Sequence, residues 1–157
     1  MPLVVNERTA QANSRLSAIR LAMFTLRNME RWRALSDDCQ EALIMVAVGA
    51  INGERLVRDG KLEKELRDLR NELPQEHFRQ CSVSSVAAAT GLNRETARRK
   101  VNELIERGLL VRTGRGRLQY RPGLAQSSTV SDLVRAQLEA LVRVTNELVR
   151  DGVLLFD

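Results

Sequence analysis

The stretch Ser82–Leu110 reads SVSSVAAATGLNRETARRKVNELIERGLL. Small residues crowd around Gly91, a burst of arginine follows, and an apolar stripe closes the run. Val83, Val86 and Ala87 predict a short helix that stops at Gly91, because glycine adopts the positive φ of a tight turn without steric cost. Asn93 is placed to cap a second helix, since its side-chain carbonyl accepts from the free N–H groups of the first turn. Ala97, Val101, Leu104 and Ile105 recur at helical spacing and mark that helix's inner face. Ala87 and Ala97 are small where two helices must approach closely, and Leu92 plugs the angle between them. Arg94, Thr96, Arg98, Arg99 and Lys100 remain for the outer side, although one helix cannot point all five the same way.

The chain after Gly108 continues as LLVRTGRGRLQYRPG. Leu109–Thr113 and Arg117–Arg121 predict two strands, with Gly114-Arg115-Gly116 as a tight hairpin tip. That tip presents Arg115, with Arg117, Arg112 and Arg121 close by. Residues 82–123 hold nine Lys/Arg against three acids, a local charge of +6 that exceeds the +5 of the whole chain. A local basic excess is an electrostatic footprint for phosphate.

Two helices around a glycine turn, followed by a basic hairpin, are the grammar of a helix-turn-helix with a wing. Residues 76–123 resemble the winged helix-turn-helix of bacterial transcriptional regulators of the MarR and GntR type. The resemblance is carried by Gly91 after its small residues, by LNRETARR and by LIERGLL, and it covers about a third of the chain. It implies double-stranded DNA binding by a dimer, with Arg94–Lys100 in the major groove. Arginine's forked donors match the two acceptors of a guanine edge. The DNA-binding residues expected are Arg94, Thr96, Arg98, Arg99 and Lys100 on the helix, and Arg115 and Arg117 on the wing. The fold expected is mainly α, a winged helix-turn-helix (three-helix core plus β-hairpin wing) with flanking N- and C-terminal helices for dimerisation. The N-terminal helical section is longer than in the MarR type.

The flanks divide at 1–75 and 124–157. Leu16, Ile19, Met23, Leu26 and Met29 form the stripe of an amphipathic helix from near Asn13 or Ser14 to about Ala34, with Arg20, Arg27 and Arg31 off the stripe. A second helix, capped by Ser36 or Asp37 with a Asp37–Gln40 capping box, runs through the apolar Ala42–Ile51. It ends near Asn52-Gly53 or continues to Asp59-Gly60. Leu62, Leu66, Leu69 and Leu73 predict a third helix, supported by the pairs Lys61–Glu65, Lys64–Asp68 and Glu63–Arg67 and stopped at Pro74. In the last segment Val134, Leu138, Leu141, Thr145 and Leu148 form a stripe, widened by Val130, Leu133 and Val144. Packing on its own chain is one solution and packing on the same helix of a second chain, slightly favoured, is the other, and the apolar tail VLLFD is expected to dock.

Composition narrows the function classes. The longest apolar run has ten residues, about half of what a membrane span needs. The N-terminus has no basic-then-apolar signal pattern, so a cytoplasmic protein is expected. His77 is the only histidine and has no ligand partner at zinc spacing, so no metal is expected. Cys39 and Cys81 read as inert thiols rather than redox sensors. Trp32, Met23, Met29 and Phe24 read as core in preference to an effector pocket, and the existence of a small-molecule effector stays open. No nucleophile–base spacing and no phosphate loop appear, TGRGR lacking the Lys-Ser/Thr such a loop needs, so neither an enzyme nor a cofactor is expected. Two rivals stand beside the DNA-binding regulator: a protein-interaction module, and a plasmid- or phage-type replication or partition protein.

Overall fold

A helix that is apolar on nearly every side has to sit at the centre of something, and Ala42–Ile51 does so in one half of this molecule. The computed structural model describes residues 1–60 and 62–157. They are mainly helical and form two compact units, one of Arg33–Ser131 and one of Met1–Trp32 with Asp132–Asp157. Among the described residues no helix is long and apolar enough to cross a membrane.

The Arg33–Ser131 unit is built on α3 (Cys39–Asp59), which packs against α4 (Val83–Thr90), α5 (Arg94–Glu106) and β3. Strands β2 (Leu110–Thr113) and β3 (Arg117–Tyr120) pair antiparallel, Leu110 opposite Tyr120 and Thr113 opposite Arg117. Ile44, Met45 and Val48 of α3 are fully buried, as are Val86, Val101, Leu104 and Leu118 on the elements packed against it. The expected boundary at residue 76 therefore shifts: α3 belongs with this unit because its apolar surface supplies the floor on which α4 and α5 lie. Gly49 is required there. A Cβ at that position would stand 2.4 Å from the Tyr120 hydroxyl, which donates to the Met45 carbonyl. Asn52 is also buried and donates to the carbonyls of Arg79 (2.9 Å) and Leu118 (3.3 Å), tying α3 to the chain that enters α4 and to β3.

The cap of α3 is Asp38, whose carboxylate accepts from the Gln40 and Glu41 N–H groups. Ser36 and Asp37 were the expected caps. Ser36 is instead buried and donates to Glu41, and the Asp37–Gln40 capping box does not form. The helix continues to Gly60, whose φ of 61° closes it in the left-handed conformation. The helix expected across Leu62–Leu73 is absent. Only a 3₁₀ turn at Lys64–Arg67 forms, and Leu69 is 44% exposed. A helix of about 12 residues is marginal without a surface to pack on, and local side chains offer the backbone other partners. Asp68 accepts from the Arg70 N–H at 2.9 Å, and the Asn71 amide donates to the Glu65 carbonyl. Lys61, expected to pair with Glu65, lies outside the described residues.

The other unit holds β1 (Leu3–Val5), α1 (Glu7–Ala12), α2 (Ser14–Trp32), α6 (Ser128–Arg150, from Asp132 onward) and β4 (Leu154–Phe156). The apolar tail docks as expected, by pairing antiparallel with β1, Leu3 opposite Phe156. Val144, Leu148 and Val153 form a small core with Ala10, Phe24 and Leu154. Two apolar stripes face outward. Leu16, Ile19, Met23 and Leu26 of α2 are 40–63% exposed, and Val134, Leu138 and Leu141 of α6 are 37–57% exposed. Arg20 is the reason for the first. Its guanidinium reaches Glu147 at 2.7 Å and Asp151 at 2.9 Å, so α2 turns Arg20 and Phe24 toward α6 and leaves the Leu/Ile/Met stripe in water.

Candidate nucleic-acid interface

The candidate interface comprises α4, α5 and the β2–β3 hairpin. Ser82 caps α4 through a reciprocal bond with Ser85, and Gly91, at φ 71°, ends it. Asn93 then caps α5 by accepting from the Glu95 N–H at 2.9 Å. The turn is therefore the expected one, and it fixes which residues of α5 look outward. Ala97, Val101 and Leu104 are buried against the core, as their spacing predicts. Arg94, Arg98 and Arg99 are exposed, and Thr96 is half-buried beside them.

Two of these arginines hold acidic neighbours on the same helix. Arg98 donates to Glu95 at 3.0 Å, and Arg99 donates to Glu103 at 2.9 Å. Arg98 holds the Glu95 carboxyl below its ordinary range. Solvent screens exposed pairs of this kind, so their partners exchange at little cost.

Lys100 departs from the expectation that it faces outward. It is 9% exposed, and its ammonium reaches Asp38 at 2.6 Å and Glu103 at 3.1 Å. One helical step beyond Arg99, the side chain points back across α5 to the start of α3. Hydrogen bonding to Lys100 pulls the Asp38 and Glu103 carboxyls down, and Asp38 in turn raises the lysine. Arg107 completes the cluster by donating to the buried Glu41 and, at 3.3 Å, to the Leu35 carbonyl. Lys100 and Arg107 thus lock the α3 N-terminus to α5. Nothing in the local pattern signals this, because Asp38 lies 62 positions away.

The hairpin tip is Gly114–Gly116, and Arg115 adopts a left-handed φ of 62° there, rare for a residue with a side chain. Arg115 is exposed, as are Arg112 and Arg121. Arg112 donates to Asn102 on α5 at 2.9 Å, which joins the hairpin to the helix. Arg117 opens β3, as expected, with its Cα paired to Thr113. It is half-buried, and its Nε is enclosed without a hydrogen-bond partner among the described residues. From Arg107 to Ser131 the chain carries five arginines and no acid, so the hairpin's charge is uncompensated from within.

No family model, no curated protein and no solved structure matches this chain. The surface therefore has to be read from its own chemistry. It offers planar, forked cations on a helix and a cationic loop beside it. Of the four side chains weighed for an effector pocket, Met23 and Phe24 line a shallow groove between α2 and α6, while Met29 and Trp32 do not. The groove holds about 150 Å³, below the several hundred Å³ that ligand pockets usually enclose. Cys81 is buried, and burial pushes its thiol up to about 11, whereas Cys39 is exposed.

Proposed function

We propose that this protein is a sequence-specific double-stranded-DNA-binding transcriptional regulator that acts as a homodimer, with a winged helix-turn-helix built from α3, α4, α5 and the β2–β3 hairpin. The observation that carries the reading is the outward row Arg94, Arg98 and Arg99 next to a hairpin that bears Arg115 at its tip and no acid. In this reading α5 enters the major groove, where guanidinium forks match guanine O6 and N7. Thr96 meets a thymine methyl or a phosphate. Arg115 reaches the minor groove, whose negative potential attracts arginine. Arg98 and Arg99 exchange their glutamates for phosphate or base acceptors, an exchange their exposure makes inexpensive. Lys100 acts from within, holding α5 to the start of α3.

Fluorescence anisotropy against DNA selected from a random duplex pool tests this. Binding should fall linearly on a log–log salt plot, with a slope of about −0.9 for each phosphate neutralised. Arg98→Ala should weaken binding about tenfold or more while helicity is unchanged. A selected site should be palindromic, with half-sites about one helical turn apart. A chain that retains no duplex from the pool at low salt sinks the reading.

A further inference from the structure

The groove between α2 and α6 is lined by Arg20, Arg27, Arg31 and Arg143, with Glu147 as its one acid. Four cations against one acid leave a local charge of +3. Glu147 is already committed to Arg20 at 2.7 Å, and Arg20 also holds Asp151 at 2.9 Å. Among the described residues Arg27, Arg31 and Arg143 form no ion pair. Acids at helical pairing distance do not serve them. Glu139, four positions before Arg143, bonds Arg135 at 3.2 Å instead, and Glu30, three positions after Arg27, stays exposed. Arg31 donates at 3.0 Å to Asn28, a neutral partner. The walls between the cations are apolar: Met23, Phe24, Ala140 and Val144. Phe24 packs onto the small core that holds Val144. A cleft of one charge sign with low-dielectric walls focuses the field, so the cations repel one another, and attract an anion, more strongly than on an open surface.

We infer that this groove binds a terminal phosphate group, free or carried on a small molecule, with Arg27, Arg31 and Arg143 as its ligands. Arg20 is a positioning residue, which holds α2 against α6 through Glu147 and Asp151. Charge selects phosphate. A phosphomonoester carries about −1.5 to −2 near neutral pH and offsets most of the +3, whereas a carboxylate carries a single charge. Geometry agrees, because the guanidinium fork donates two parallel bonds to phosphate oxygens. Size agrees as well. About 150 Å³ is too little for a whole drug-sized ligand, but it admits one tetrahedral oxyanion with its substituent left outside. A terminal phosphate has at most one ester arm to lead out of the groove. A nucleic-acid backbone phosphate has two, and carries only one charge.

Calorimetric titration of the full chain, in a buffer free of phosphate, tests the inference with no duplex present, so its outcome is separate from that of DNA binding. Inorganic phosphate should bind with a Kd of about 1 mM or tighter. Acetate and dimethyl phosphate, at matched ionic strength, should each bind at least about tenfold more weakly. Phenyl phosphate that binds more tightly than inorganic phosphate identifies an ester as the ligand, and equal affinity identifies free phosphate; both support the site. Arg27→Gln and Arg143→Gln should each weaken phosphate binding about tenfold or more, with unchanged helicity, since both side chains are exposed. Arg150→Gln makes the same charge change on α6 outside the groove and should leave binding unaltered. Should Arg143→Gln unfold, Arg143→Lys replaces it; this keeps the charge, removes the fork and should weaken binding at least about threefold. Absence of saturation up to about 10 mM phosphate overturns the inference. So does phosphate binding that survives the Arg27 and Arg143 changes, or that Arg150→Gln weakens equally. Acetate or dimethyl phosphate that binds as well as inorganic phosphate overturns it too. If phosphate does not bind, yet Arg27→Gln and Arg143→Gln weaken the hold on a duplex, the groove serves a nucleic-acid backbone and this inference fails alone.

Discussion

The two units of this chain handle apolar side chains in opposite ways. In Arg33–Ser131 the large apolar residues of α3, α4 and α5 are buried or half-buried except Val57, and Val57 and Leu69 are the unit's only exposed large apolar residues among those described. In the other unit the small core is Val144, Leu148 and Val153 with partly buried partners, while stripes on α2 and α6 and most of the β1–β4 pair stand in water. Both units are rich in amphipathic helix, so composition does not explain the contrast. The difference lies in what the inner faces meet. Three helices and a hairpin enclose a volume, whereas two long helices and a two-stranded sheet cannot enclose one. The first arrangement closes around its apolar side chains, and the second leaves many of them in water.

The sharpest way to break that contrast is to cut into each unit in turn. Leu104→Ala removes a fully buried side chain and should cost about 3 kcal/mol in denaturant unfolding, whatever the protein concentration. Leu138→Ala, 57% exposed, should cost no more than about 0.5 kcal/mol. Equal losses would erase the distinction between the units.

Gly49→Ala comes next. The added methyl meets the Tyr120 hydroxyl, so unfolding should show a loss of about 2 kcal/mol from overpacking. Combining it with Tyr120→Phe should recover part of that loss, since the clash and the hydroxyl are one feature. Full additivity would place the strain elsewhere.

Lys100→Ala probes the polar clamp rather than the apolar core. It removes a cation from the buried Glu41 as well as from Asp38 and Glu103, and should cost about 2 kcal/mol near neutral pH. The sign with pH follows from the shifts. Asp38 and Glu103 are lowered in the folded state, so their contribution is present above about pH 4, the ordinary carboxyl value, and fades as pH falls through the folded values. The parent should therefore lose stability below about pH 4 more steeply than Lys100→Ala does, read as Tm against pH. Parallel curves would dismiss the clamp.

The smallest perturbation is chemical labelling. At pH 8 one thiol, Cys39, should react at once with a thiol reagent, and Cys81 should react only on unfolding, because burial keeps it protonated. Fast labelling of both would mean that the core around Val86 and Leu118 opens readily.

The legibility of the sequence follows the range of the forces involved. The turn at Gly91, the Asn93 cap, the inner face Ala97–Val101–Leu104 and the hairpin at Gly114–Gly116 were all readable, because each depends on residues within a few positions of one another. So were the outward placements of Arg94, Arg98 and Arg99. The misread residues had partners far along the chain. Lys100 faces inward because Asp38 waits 62 positions upstream. Arg20 orients α2 through Glu147, 127 positions away. The Leu62–Leu73 stripe, with a good helical period, lacks a helix because no surface receives it.

By itself, then, the order of residues determined where helices and turns begin and end around α4, α5 and the hairpin, and that a basic excess gathers there. Cap geometry, glycine's free φ and side-chain periodicity are local properties. Only the tertiary structure decided which side of each helix meets protein and which meets water. That choice is set by long-range ion pairs and by whether enough elements converge to enclose a core.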